Sequence, residues 1–190
     1  MDYSQLTLAD VRAALEQIAQ EGDTVFGRLS ARQLNWRPDE TRWGVAQCFE
    51  HLLTANRLML NAARGRLDGS QPQTIWQRIP ALPGLLGRAL IRSQAPTAAR
   101  KFTAPPGARP VFTQIPDDVV RRFAEQQRDI ARWIGTLGER EARLIMTSPF
   151  IRVVTYSVLD GCRLLVAHDW RHIEQARRVT ALPDFPTSAD

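Results

Sequence analysis

SVLDGCRLLVAHDWRHIEQ, residues 157–175, is the stretch of the chain that says most about its fold. Ser157, followed by Asp160 three residues later, is a variant of the capping box with which helices begin. The next residues are apolar on nearly all sides, a pattern typical of a helix at the centre of a protein. The sequence therefore predicts a central helix that begins at Ser157 and continues toward Pro183.

The three histidines of the chain have a spacing typical of metal sites. His168 and His172 are four residues apart, so a helix places both imidazoles on one face. His51 lies in WGVAQCFEHLL, residues 43–53, which also predicts a buried helix. Three neutral imidazoles suit a divalent transition metal and leave a coordination position open, as in catalytic sites. The alternative is three separate, hydrogen-bonded histidines, although burying unpartnered imidazoles is costly.

Polar residues one turn away from the histidines are candidates for supporting roles. Gln47 and Gln175 are placed to orient an imidazole or a bound water, and Arg171 to hold the anionic part of a substrate. For each glutamine the alternative is simple exposure to solvent. These three residues complete the candidate site predicted from the sequence.

Asp169 and Cys48 also lie near the histidines in sequence, but neither is predicted to be a metal ligand in the first instance. Asp169 stands where zinc proteases of the HExxH type carry a glutamate base, so the pattern is not theirs. Asp169 is expected to support the ligands or to face solvent. Cys48, three residues before His51, is interpreted as a packed thiol, with metal ligation as the alternative.

Three more amphipathic helices are predicted from apolar residues that recur every three or four positions. The first begins at Thr7, the second at Gly44, and the third runs from Pro116 to Gly138. With the helix from Ser157, they predict an all-α fold, a four-helix bundle formed by a single domain over residues 1–190.

The connection over residues 71–115 determines the expected topology. Eight prolines fall between Pro72 and Pro116, so only short helices are predicted, near Thr74–Ile79 and Leu85–Arg92. A connection this long can cross the bundle or cover a site. A crossover between the second and third helices leaves them parallel and predicts an up-down-down-up order.

Composition narrows the function classes. The chain has no long apolar run and no basic-then-apolar N-terminus, so neither a signal peptide nor contact with a membrane is predicted, and the cytoplasm is the expected location. The net charge is +5, but the 24 arginines alternate with acids along the helices, so nucleic acid is not an expected partner. Two cysteines do not form a disulfide framework.

Four segments together resemble one protein family: NWRP (residues 35–38), WGVAQCFEHL (residues 43–52), KFTAP (residues 101–105) and HDWRHIEQ (residues 168–175). In their order and spacing they resemble the DinB/YfiT-like superfamily of metalloenzymes, in which a tryptophan precedes a helical histidine and a His-containing pattern closes the last helix. This chain departs from that pattern at Gly44, where a Ser or Thr cap is common.

The resemblance implies a four-helix bundle of up-down-down-up topology with a divalent metal on His51, His168 and His172. Nickel, zinc, iron and manganese are associated with such sites. Family members with assigned chemistry include S-transferases that use bacillithiol or mycothiol and a mycothiol-dependent maleylpyruvate isomerase, and others are described as hydrolases. The family spans many activities, so the resemblance bears on the fold more directly than on the reaction.

The resulting hypothesis is a metal-dependent enzyme that activates a thiol or a water, with zinc or nickel favoured over iron or manganese. Transfer of a low-molecular-weight thiol to a small electrophilic substrate is favoured over hydrolysis, because no carboxylate base is evident. The alternatives are a metal-dependent hydrolase and a non-catalytic metal-binding or dimerisation bundle. A homodimer is one expected form of the protein.

Overall fold

Helices dominate the structure, a computed structural model that describes residues 2–98, 103–110 and 114–187. In chain order the α-helices are α1 (Leu8–Phe26), α2 (Ala31–Asn35), α3 (Val45–Leu67), α4 (Leu82–Gln94), α5 (Val119–Ile134), α6 (Glu139–Ala142) and α7 (Val158–Thr180). Short 3₁₀ turns occur at Tyr3–Gln5, Ile75–Arg78 and Pro106–Ala108. Two short strands, β1 (Ile145–Thr147) and β2 (Thr155–Ser157), precede α7. The prediction of an all-α fold is therefore confirmed in its broad form.

The predicted helix starts at Thr7, Gly44 and Ser157 are confirmed. The Thr7 hydroxyl accepts a hydrogen bond from the Asp10 amide at 3.2 Å, and the Asp10 carboxylate accepts one from the Thr7 amide at 2.8 Å. At α7 the Ser157 hydroxyl accepts from the Asp160 amide at 3.0 Å. Each contact satisfies an amide that the first turn of a helix leaves without a partner.

The predicted bounds of the third helix were wrong at both ends. Residues Pro116 to Asp118 form a turn, and α5 begins only at Val119. The helix ends at Ile134 because Gly135 follows as its cap, whereas Gly138 instead precedes α6 and donates its amide to Glu141 at 3.1 Å. Gly135 and Gly138 both fit the pattern of a glycine that follows a helix. The sequence does not show at which of the two the helix ends.

A small antiparallel sheet occupies the connector before α7, where the sequence predicted no strand. Ile145 pairs with Ser157, Met146 with Tyr156, and Thr147 with Thr155. Met146 and Tyr156 are buried, and the Tyr156 hydroxyl lies 3.3 Å from the sulfur of Met59 on α3. Strands of three residues are too short to show the alternation by which a strand is recognised in sequence.

The four long helices enclose the core. Helix α1 packs against α5 and α7, and α3 packs against the same two helices. At the centre Phe49 meets Phe26 and Phe123 edge to face, with ring centroids 5.2 and 5.1 Å apart. In this arrangement the positive edge of one ring meets the negative face of the other, which stabilises the contact. Helix α3, which carries His51, is thereby fixed against both α1 and α5.

The connection between α3 and α5 contains the short helices that the sequence predicted. The 3₁₀ turn Ile75–Arg78 and helix α4 lie near the expected positions, and α4 packs against α7 and β2. Further along, the 3₁₀ turn Pro106–Ala108 packs against α3. Lys101 and Phe102, part of the family-like segment, lie outside the described residues. No helix in the described part is long and apolar enough to cross a membrane.

Candidate metal centre

The three histidines converge between α3 and α7. The Nε2 atoms of His51 and His168 are 3.2 Å apart, and His172 places its ring centroid 4.7 Å from the centroids of both. One ring nitrogen from each histidine lies within 4.8 Å of the others. Among the described residues, no Asp, Glu or Cys adds a ligand atom to this group.

The donor set fits a divalent transition metal. Zinc–nitrogen bonds of about 2.0–2.1 Å at a tetrahedral angle separate two ligand nitrogens by roughly 3.3 Å. The 3.2 Å between the Nε2 atoms of His51 and His168 is close to that separation. Imidazole donors suit zinc, nickel, copper and iron better than magnesium or calcium, which take oxygen ligands. The arrangement therefore matches the ligand set of a transition metal.

His51 is held in one orientation by the connection between α3 and α5. Its Nδ1 lies 2.6 Å from the carbonyl oxygen of Ala108, which is itself buried. Because a carbonyl only accepts, Nδ1 carries the proton and donates it, and Nε2 presents its lone pair to the other histidines. A carbonyl at this position orients a metal-binding imidazole and fixes its tautomer.

Trp43 forms one wall of the centre. Its ring lies nearly parallel to His172, with centroids 5.6 Å apart and planes 24° apart, and tilted against His51 at 5.0 Å. The tryptophan precedes α3 and is half-buried, and its indole packs against both imidazoles. This contact gives a structural reason for the tryptophan ahead of the helical histidine.

All three imidazoles are neutral at pH 7. Burial lowers the pKa of His51, although its hydrogen bond to Ala108 opposes the shift. Burial, followed by the charges of His51 and Arg171, lowers the pKa of His168 to about 3. His172 titrates well below its usual pKa, again chiefly because of burial. Neutral imidazole is the form that binds metal, so the protein pre-organises the ligands in their binding state.

The three histidines differ in how far they are exposed to solvent. The exposed fractions of His51 and His172 are 3% and 9%, whereas His168 is only partly buried. The Nδ1 of His172 is buried and makes no hydrogen bond with a described residue, although the nearby Gln175 side chain raises the pKa of this imidazole slightly. His168 is thus the least buried of the three histidines.

A buried polar cluster behind the ligands was not predicted from the sequence. Asp169 is fully buried and accepts hydrogen bonds from the Asn56 amide nitrogen at 3.0 and 3.3 Å. Gln127 on α5 lies beside the same carboxyl group and is also fully buried. Burial raises the pKa of Asp169 to about 8, and the neighbouring side-chain amides of Asn56 and Gln127 oppose the shift. The cluster joins the helices that carry His51 and His168.

The other candidate residues lie in different places. Gln47 is buried and accepts a hydrogen bond from the Gly44 amide at 2.9 Å, so its side chain caps α3. Arg171 donates to the carbonyl oxygens of Ser93 and Ala95 at the end of α4. Cys48 packs in the core, where burial raises the pKa of its thiol to about 12.

We expect the substitution Gly44→Ala to destabilise the protein and to disturb the centre. A β-carbon at Gly44 would lie 2.1 Å from the Trp36 carbonyl oxygen and 2.8 Å from the Gln47 Oε1. Relieving this clash moves the chain beside Trp43 and costs about 1–3 kcal/mol of unfolding free energy. The measurement is urea unfolding, together with metal affinity.

Gly84→Ala on α4 is the matched control, because its β-carbon would make only an ordinary contact, 3.7 Å from Arg88. That variant is expected to be as stable as the parent or slightly more stable. Equal stability of both variants would mean that Gly44 can be replaced without moving its neighbours.

One protein-family model covers most of the chain. The family model described as the DinB superfamily matches residues 10–176, a range that contains all three histidines and Trp43. No curated protein and no solved structure matches the chain.

Proposed function

This chain belongs to the DinB superfamily, and from that premise we propose that it is a metal-dependent enzyme acting on small electrophilic molecules. The observation that carries the proposal is the convergence of His51, His168 and His172. Three neutral ligands on two packed helices, one of them oriented by a backbone carbonyl, suit a transition metal with an open position. Zinc or nickel is the preferred ion, with iron or manganese as alternatives.

The chain's own residues would divide the work at this centre. A divalent metal, when bound, would lower the pKa of a thiol or water at its open position. His51 is oriented by Ala108, and Trp43 covers the rings and excludes water on its side. His168 is the least buried of the three histidines, so thiol and electrophile would reach the centre past it. Gln175, beside His172, would orient that imidazole.

Transfer of a thiol is favoured over hydrolysis. Among the described residues no carboxylate joins the histidines, and Asp169 is directed toward Asn56. No described residue at the ligands is therefore placed to take a proton from a metal-bound water. A thiol, with a pKa of about 8.5, ionises far more readily and needs no such base. The thiol, having lost its proton to solvent, would form the carbon–sulfur bond. An alkyl halide would release its halide with the electron pair of the broken bond, whereas an opened epoxide or a saturated alkene would take up a proton from solvent.

We also propose the bundle topology that the sequence predicted. A four-helix bundle of up-down-down-up order, with a crossover between α3 and α5, accounts for the packing of α1 and α3 against the same two helices. Binding of a substrate anion by Arg171 and formation of a homodimer stay predictions. A metal-dependent hydrolase is the second candidate function, and a non-catalytic metal-binding bundle is the third.

The experiment is a turnover assay on the protein loaded with zinc or nickel. Low-molecular-weight thiols are combined with alkyl halides, epoxides and activated alkenes, and loss of free thiol is followed. We expect turnover that requires both metal and thiol and that His168→Ala abolishes. Release of product without thiol would favour the hydrolase. Tight metal binding without turnover on any electrophile would favour the non-catalytic bundle.

A further inference from the structure

Exposed apolar side chains are concentrated on one surface of the protein, away from the helical core. Of the seven large hydrophobic residues that are exposed in the described part of the chain, six belong to two neighbouring segments and α4. They are Ile75, Trp76, Ile79, Leu85, Ile151 and Val153, whereas Val25 lies on α1. Isolated exposed hydrophobics are ordinary, but several on segments that contact one another are a feature of binding surfaces.

Contacts between the segments bring these side chains together. The 3₁₀ turn Ile75–Arg78 packs on both strands of the sheet and on α4. Gln77 donates to the Thr147 hydroxyl at 3.1 Å, and the Thr155 hydroxyl donates to the Trp76 carbonyl at 3.4 Å. Thr147 and Thr155 are the last and first residues of the two strands, so the 3₁₀ turn lies beside the end of the hairpin from which the loop with Ile151 and Val153 extends. We call this the loop surface.

Three arginines accompany the apolar residues of the loop surface. Arg78, Arg88 and Arg152 are exposed, and none makes an ion pair or hydrogen bond with a described residue. Elsewhere eight arginines are ion-paired with carboxylates, among them Arg128 with Asp23 and Arg163 with Asp160. Three guanidinium groups that no described carboxylate neutralises create a local positive potential beside the apolar side chains.

The sequence around the loop surface contains no acidic residue. From Gly69 to Pro116 there are six basic residues and neither aspartate nor glutamate, and residues 144–159 contain Arg152 and no acid. A second copy of this surface would meet it with like charge, which disfavours self-association. Phosphate groups of a nucleic acid would match the arginines but leave Ile75, Ile151 and Val153 exposed to water.

We propose that the loop surface docks the protein onto an anionic lipid bilayer. Arg78, Arg88 and Arg152 would contact lipid phosphates, while Ile75, Trp76 and Ile151 would enter the interface between headgroups and acyl chains. Basic residues beside exposed aliphatic and tryptophan side chains are the features that hold peripheral proteins at such interfaces. No membrane contact was predicted from the sequence, because it has no long apolar run. Docking at the surface of a bilayer does not need such a run. The proposal is independent of the proposed function.

The test is flotation of the full chain with vesicles of phosphatidylcholine, alone or mixed with phosphatidylglycerol. We expect binding only to the mixed vesicles, weakened by added salt. Each basic residue near an anionic surface contributes roughly five-fold to partitioning, so the triple variant Arg78→Gln/Arg88→Gln/Arg152→Gln should bind about a hundred-fold less. The variant Ile75→Ser/Trp76→Ser/Ile151→Ser should also lose binding.

Matched variants separate the surface from net charge and general hydrophobicity. Arg28→Gln/Arg57→Gln/Arg140→Gln removes three exposed arginines elsewhere, and Val25→Ser removes the exposed valine of α1. The valine variant should bind vesicles like the parent, and the arginine control should bind far better than the loop-surface arginine variant. Binding to neutral vesicles, equal loss in both arginine variants, or no binding would overturn the proposal. A loop-surface-dependent dimer without vesicle binding would assign the surface to a second copy instead, and DNA binding lost only in the arginine variant would assign it to phosphates alone.

Discussion

Replacing His168 with alanine is expected to weaken the binding of zinc or nickel by at least about a hundred-fold. Loss of a partner that only orients a metal ligand costs 10- to 100-fold, so loss of a ligand costs more. The Nε2 atoms of His168 and His51 lie 3.2 Å apart, a separation that suits two ligands of one ion, and the remaining two histidines cannot close the site. Calorimetric titration of chelator-treated protein measures the effect.

Leu164→Ala is the control for this experiment, because Leu164 lies one turn earlier on α7 and packs against the core. It should lower stability while leaving metal affinity unchanged. Far-UV circular dichroism checks that both variants remain helical. If His168→Ala binds metal as tightly as Leu164→Ala does, the ion is bound elsewhere in the protein.

The second large effect concerns the pH dependence of stability at Asp169. Its pKa is about 8 in the folded protein, above the ordinary value of 3.8. Between these values the folded state keeps a proton that the unfolded state releases. Stability from this site is therefore complete below pH 3.8 and is lost as pH rises toward 8, by about 1.4 kcal/mol per pH unit.

Asp169→Asn isolates this effect, since asparagine has nearly the shape of a protonated aspartate. The free energy of unfolding of metal-free protein, measured for both proteins from pH 5 to pH 7, should diverge with pH in favour of the variant. Contributions of the three histidines are common to both proteins and cancel in the difference. A difference that does not change with pH would mean that Asp169 is already ionised in the folded protein.

Features that depend on neighbours in sequence were predicted well. Thr7 and Ser157 begin helices because their hydroxyls cap amides three residues away, and a sequence displays both partners together. The His168–His172 pair is equally local, since one helical turn sets its geometry. The convergence of His51 on that pair is not local, and the sequence left separate histidines as an alternative.

Features that depend on contacts across the chain were missed. The carbonyl that orients His51 belongs to Ala108, in a proline-rich connection that shows no periodicity. Asp169 was expected to support the ligands or face solvent, and its burial against Asn56 and Gln127 follows from how three helices pack. Alanine and glutamine carry no pattern that marks such roles, so the packed structure was needed to find them.

The metal content of the untagged protein tests most directly whether His51, His168 and His172 bind a transition metal. It is purified without added metal, beside a His168→Ala/His172→Ala variant, and both are analysed by elemental mass spectrometry. We expect about one equivalent of a transition metal in the parent protein and almost none in the variant. A parent protein that holds no metal, even after incubation with nickel, zinc and manganese, would contradict it and leave three structural histidines.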